Sequence, residues 1–129
     1  FLDHHQYQGT NDISAYLSVP KAIEFLTINN WEEIREDCYK KNIESRNILL
    51  DTLNTEPICP DTCLGQMASM KINISNSMDL YKYLKSNNIV VPVIDWNGLI
   101  LLRVSFQCYN SIDQIEFLNN CLEKYLNGI

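Results

Sequence analysis

Apolar and polar positions fall along this chain into segments with different periods. Ile13, Tyr16, Leu17, Ile23 and Leu26 recur at helical spacing, and Asp12 or Ser14 can cap the start, which predicts a helix running to about Thr27. Pro20 lies inside it and has no N–H, so the turn around residues 14–17 should break or bend. The longest element runs from about Trp31 to Leu53, capped by Asn30, with Glu32 and Glu33 in the first turn where they suit the helix dipole. Trp31, Ile34, Cys38, Leu49 and Leu53 form one narrow stripe at 3.6 residues per turn, and Glu33, Lys40, Glu44 and Asp51 fall opposite. The stretch from Thr55 to Thr62 contains two prolines and reads as a loop.

Beyond it the period changes to two. Ala68, Met70, Ile72 and Ile74 alternate with Ser69, Lys71 and Asn73, the pattern of a half-buried strand. Ser77 caps a short helix to about Ser86, with Leu80, Tyr81 and Leu84 facing inward. Two apolar runs, Ile89 to Ile94 and Leu99 to Phe106, flank Asn97-Gly98, which is the strongest short hairpin signal. Ser111 and Gln114 suggest a capping box for a last helix with Ile112, Ile115, Leu118, Leu122 and Tyr125 on one face and Gly128 as its stop. The order helix, helix, strand, helix, strand, strand, helix predicts an α+β fold: a three-stranded antiparallel sheet with covering helices.

Composition narrows the function classes. At 129 residues, 46% hydrophobic and 20% charged, the chain has the balance of an ordinary globular domain. Its net charge of −6 repels phosphate backbones, so nucleic acid is not an expected partner. No run of 18 apolar residues is present, and no membrane span is expected. Five cysteines at irregular spacing argue against a disulfide framework and for reduced thiols, hence a cytoplasmic setting. Cys59 and Cys63 have no second ligand pair nearby, so no metal is expected.

Two places could carry chemistry. Gly9-Thr10 precedes a helix, where backbone N–H groups and a hydroxyl can hold an anion; on residue types alone the pair is more often an ordinary turn with Asp12 as the helix cap. Arg103 sits in the apolar strand Leu99-Ile100-Leu101-Leu102-Arg103-Val104-Ser105-Phe106. A guanidinium there needs a partner: a ligand carboxylate, an internal Asp or Glu, or water at the strand end.

The string from Tyr7-Gln8-Gly9-Thr10-Asn11-Asp12 to Val19-Pro20-Lys21-Ala22-Ile23-Glu24-Phe25 resembles a family signature, Trp-x-Gly-Thr-x-Asp…Val-Pro-x-Ala-Ile-x-Phe. That signature belongs to the isopenicillin-N-epimerase-like class V aminotransferases, enzymes of fold type I that use pyridoxal phosphate (PLP). Arg103-Val104-Ser105 followed by Tyr109-Asn110 and Asp113 resembles a second block of the same family. Tyr7 stands where the family usually has Trp, and Asn11 where it usually has Arg. The resemblance implies that Gly9 and Thr10 bind the phosphate of the PLP held by the partner subunit of a homodimer. It implies that Arg103 binds the α-carboxylate of an amino-acid substrate, while Tyr109, Asn110 and Asp113 shape and cap the following turn.

No segment here matches the family's large domain with its Schiff-base lysine. The resemblance therefore implies a C-terminal portion, inactive alone: residues 1–30 would belong with the missing large domain and dimer interface, and residues 31–129 would form the small C-terminal domain. Epimerase, transaminase, cysteine desulfurase and desulfhydrase activities all fit this resemblance. The alternative is a stand-alone α+β binding or interaction module in which Arg103 pairs internally. Cut from a large domain, the first helix and the residues around Tyr7 should expose an apolar patch, with self-association or poor order of residues 1–12 as the result.

Overall fold

A computed structural model describes Gly9 and residues 12–128 of the chain. It divides into two compact units, Phe1–Glu33 and Ile34–Ile129.

The first unit contains helix α1, Ser14–Ile28. The Asp12 carboxylate accepts the Ser14 amide at 2.9 Å, so the aspartate supplies the start signal although Ile13 is the residue at the cap position. The break expected from Pro20 does not occur, and the backbone is helical from Ser14 through Ile28. A proline there removes one backbone bond, the one that the Tyr16 carbonyl would accept, and the turns on either side keep theirs. Downstream, the Trp31 ring lies 6.0 Å from that of Phe25, tilted by 53°. Asn30 has a positive φ of 49°, and its side-chain amide donates to Glu33. It thus joins the two helices through an asparagine turn, where the sequence suggested a plain side-chain cap.

Helix α2, Trp31–Leu53, carries the second unit's longest buried seam. Its stripe is continuous, because Asn42, Ser45 and Arg46 fill the gap between Cys38 and Leu49. These polar residues are buried because the Pro-rich loop lies over them. Asn42 donates to the Gly65 carbonyl at 3.0 Å, and Arg46 donates to the Cys59 carbonyl at 3.4 Å and pairs with Asp61. A short 3-10 turn, Asp61–Cys63, presents that carboxylate.

The sheet follows, from β1 (Met67–Lys71), β2 (Val93–Trp96) and β3 (Leu99–Ser105), with α3 (Ser77–Ser86) between the first two strands and α4 (Ile112–Asn127) at the end. Its order is β1-β3-β2, antiparallel throughout, with β3 in the centre. The expected α+β fold with a three-stranded antiparallel sheet and covering helices is the fold observed. The hairpin turns at Asn97 and Gly98, whose φ values of 48° and 75° are the two positive angles a type I′ turn requires.

Three local boundaries differ from the sequence pattern. The first strand ends at Lys71, although the Ile72 amide still bonds to the Ile100 carbonyl at 3.0 Å. The second strand begins only at Val93. The preceding residues are spent closing α3, where Asn88 takes a left-handed conformation and the Ile89 amide bonds back to Leu84 at 2.9 Å. The cap of α3 is Asn76, whose side chain accepts the Met78 amide at 2.9 Å, and Ser77 is the first helical residue, its hydroxyl bonded to Asp95.

Helices cover one sheet face. Leu49, Met70, Leu80, Leu102, Phe106 and Leu122 lie at the centre of the core, and the rings of Tyr83 and Tyr125 meet at 5.1 Å beside it. Strand alternation then dictates the rest. Ala68, Met70, Leu102 and Val104 point into the helices, so Met67, Ser69, Lys71, Leu101, Arg103 and Ser105 share the opposite face.

Candidate functional site

Arg103 occupies the central strand, on the face turned away from the helices, directly opposite Ser69 in register. Its backbone is fixed from both sides: the pairing with β1 continues past it, and its amide donates to the Pro92 carbonyl at 3.0 Å. Pro92 can serve this way because its ring removes a donor and leaves its acceptor intact. The side chain is half-buried, and among the described residues it has no acidic partner within ion-pair distance. The internal pairing weighed for it from the sequence is therefore not made among these residues. The guanidinium keeps its full donor set.

Arg103 borders a hollow of about 620 Å³. One wall is the segment Asn88–Pro92 between α3 and β2, and the other is the Tyr109–Asn110 turn with the first turns of α4. Asn110 makes this turn: its side-chain oxygen accepts the Gln107 amide at 3.0 Å and its side-chain nitrogen donates to Gln114 at 3.0 Å. Gln114 also accepts the Ser111 amide at 3.2 Å, which is its part of the expected capping box. Tyr109 projects into solvent, 81% exposed, and Asp113 stands in the first turn of α4. Asn110 thus shapes the turn, and Asp113 adds a carboxylate to the rim of the hollow.

Gly9 is the other sequence candidate, and it belongs to the first unit. It is exposed, with φ of +67°. A Cβ placed on it would meet nothing within 4 Å, so the glycine answers to backbone conformation and not to crowding. Thr10 lies outside the described residues.

One hub went unnoticed in the sequence. The Gln107 side-chain oxygen accepts from the Cys108 amide at 2.9 Å, from Gln66 at 3.2 Å and from the Cys38 thiol at 3.8 Å. It ties the loop after β3 to α2 and to the entry of β1. Cys38 is fully buried there, and burial, with smaller contributions from Cys108 and Asp37, pushes its thiol above the usual range. The sequence offered only a faint signal, Cys38 as an inward-facing thiol able to act as a weak donor. None of the five cysteines is in a disulfide. Among the described residues no cluster of His, Cys, Asp or Glu could hold a metal ion, and no helix is long and apolar enough to cross a membrane.

No protein-family model and no curated protein matches the sequence. Solved structures do match in shape. The chain is similar to 8-amino-7-oxononanoate synthase from Francisella tularensis, with a TM-score of 0.61 and 24% identity over 80% of this chain and 31% of that one. It is similar to a NifS-like protein, with a TM-score of 0.73 and 17% identity over 95% of this chain and 36% of that one. It is also similar to the apo cysteine desulfurase of Thermococcus onnurineus NA1, with a TM-score of 0.58 and 19% identity over 84% and 29% of the two chains. At these identities the likeness establishes the fold, and that fold agrees with the small C-terminal domain expected from the fold type I resemblance. The chain spans about a third of the length of each of these proteins.

Proposed function

We propose that this chain is the C-terminal part of a PLP-dependent enzyme of fold type I acting at the α-carbon of an amino acid, with Arg103 as the anchor for the substrate carboxylate. The observation that carries the reading is Arg103 itself. It is a half-buried guanidinium on the open sheet face, held by a doubly bonded strand, beside a hollow and without an acidic partner among the described residues. A group so placed at the expense of partial desolvation is suited to a bidentate carboxylate. The fold shared with an oxononanoate synthase and a cysteine desulfurase supports the enzyme class.

In this reading residues 1–30 belong with the large domain and the homodimer interface of the full enzyme, and residues 31–129 form the small domain. Gly9 and Thr10 hold the phosphate of the partner subunit's PLP. The left-handed backbone at Gly9, with open space where a Cβ would stand, suits close approach by an anion. When bound, PLP supplies the electron sink for chemistry at Cα. Arg103 orients the substrate so that the Cα–H bond is presented for removal, which is a contribution from positioning. Of the activities open to such an enzyme, an isopenicillin-N-epimerase-like reaction has the support of both motif blocks. Cysteine desulfurase has the support of a structural neighbour. Free thiols fit a cytoplasmic setting.

NMR titration of the chain with hexanoate tests the anchor. We expect shifts at Leu101–Arg103 and roughly a tenfold weaker response in Arg103→Gln, the loss of about one charge-assisted pair. A chain indifferent to carboxylates would favour the stand-alone module. The coding sequence upstream of Phe1 gives an independent check, because this reading requires a large domain there with a reactive lysine.

A further inference from the structure

We propose that the open sheet face takes a diacid, with Arg103 binding one carboxylate and Lys71, which lies outside the lining of the hollow described above, binding the other; the inference rests on the reading of Arg103 given above. The two cations come from neighbouring strands. Ser69 faces Arg103 and Lys71 faces Leu101 in the β1–β3 register. Lys71 is therefore the diagonal neighbour of Arg103 on the same face, with Cα atoms roughly 7–8 Å apart. Both side chains are long enough to converge on one small molecule, and the Ser69 hydroxyl lies between them.

Nothing in the described part of the chain answers this row of donors. Neither Arg103 nor Lys71 has an ion pair, and the Ser69 hydroxyl has no hydrogen-bond partner, among the described residues. The chain holds 16 acidic residues against 10 basic ones, so acceptors are not scarce. Most cations elsewhere have used them: Lys21 pairs with Glu24, Lys40 with Glu36, Lys41 with Asp37 and Arg46 with Asp61. Lys82, Lys85 and Lys124 have no ion pair either, but they are exposed on helices, and Lys85 lies over the Tyr81 ring. Only on the open sheet face do a guanidinium, a hydroxyl and an ammonium line up with no acceptor among the described residues. Two cations at that spacing repel each other, and a ligand with two anionic ends relieves the repulsion while satisfying both. A monoacid leaves Lys71 unanswered.

Parallel NMR titrations of the whole chain with adipate and hexanoate at low ionic strength test this, because the two acids share a six-carbon chain and differ by one carboxylate. We expect adipate to bind about two- to fivefold more tightly, the scale of one additional exposed ion pair. Shifts should extend to Ser69–Lys71, and the advantage should shrink as salt is added. In Lys71→Met adipate should fall to the level of hexanoate; Lys71 is exposed at a strand end, and an unchanged thermal melt would verify the fold of the variant. Equal affinities in the unaltered chain, or an adipate advantage that survives Lys71→Met, would overturn the diacid inference and leave Arg103 as a single anchor. Binding of neither acid, or binding unaffected by Arg103→Gln, would overturn the anchor and the diacid inference with it.

Discussion

Helices α1 and α4 have similar lengths, 15 and 16 residues, and both carry many apolar side chains, yet they differ completely in burial. In α4, Ile115, Leu118, Cys121 and Leu122 are buried, and the remaining surface is mostly polar, with Phe117 and Leu126 as its exposed apolar residues. In α1 no residue is buried, and Tyr16, Leu17, Ile23, Phe25 and Ile28 are all at least half exposed. Most apolar positions of α4 lie in one stripe, and that stripe is buried against the core. Those of α1 are spread around most of the helix, which is the pattern of an element meant to be covered on more than one side. A helical period announces a helix; how far apolar positions spread around it indicates how much partner it requires.

The widest gap between the two helices should appear in stability. Leu122→Ala removes a fully buried side chain and should cost about 2–5 kcal/mol in urea melts, whereas Leu17→Ala, at a position 69% exposed, should stay within about 0.5 kcal/mol. Equal effects would erase the contrast. The seam of α2 should fall between these extremes. Asp61→Asn removes the charge facing Arg46, which is only 5% exposed, but Asp61 itself is half in water, so we expect a loss of about 1–2 kcal/mol. Replacing Leu17 and Ile23 together by Ser should leave the melt unchanged and lower self-association measured by sedimentation velocity, because an exposed apolar patch drives it.

Thiol reactivity should separate the buried and open surfaces without altering stability. Cys63 and Cys108 should alkylate quickly, and Cys38 and Cys121 slowly, with Cys38 held back further by its raised titration range. The smallest effect concerns the start of α1. The Ser14 amide, and then the Ser14 side chain, hold the Asp12 carboxyl below its ordinary range. A depressed carboxyl contributes stability above its unfolded value and loses it as pH falls through the folded one. Exchange of the Ser14 amide should therefore quicken only below the usual carboxylate range, and a midpoint at or above that range would remove Asp12 as the start signal.

Much of this architecture was written in local patterns. Period two in Ala68–Lys71, the Asn97-Gly98 pair and the stripe of α4 each depend on residues close in sequence, and each was legible. The polar part of the α2 seam was not, because Asn42, Ser45 and Arg46 are buried by a loop more than ten residues further on. The same distance hid the Gln107 hub, whose partners Cys38 and Gln66 are 69 and 41 residues away. Arg103 was legible as an anomaly, a charge inside an apolar run. Lys71 was not, since it looked like an ordinary polar position of an alternating strand until the β1–β3 register placed it diagonally across from Arg103.

Placing β3 between its two neighbours has a mechanical consequence. An outer strand can slide by breaking one ladder, but β3 must unzip from β1 and β2 together. A slip of a single residue would turn Arg103 into the greasy interior and push Leu102 out, so the guanidinium stays aimed outward as long as the sheet survives. The strand that carries Arg103 is therefore the one least able to wander.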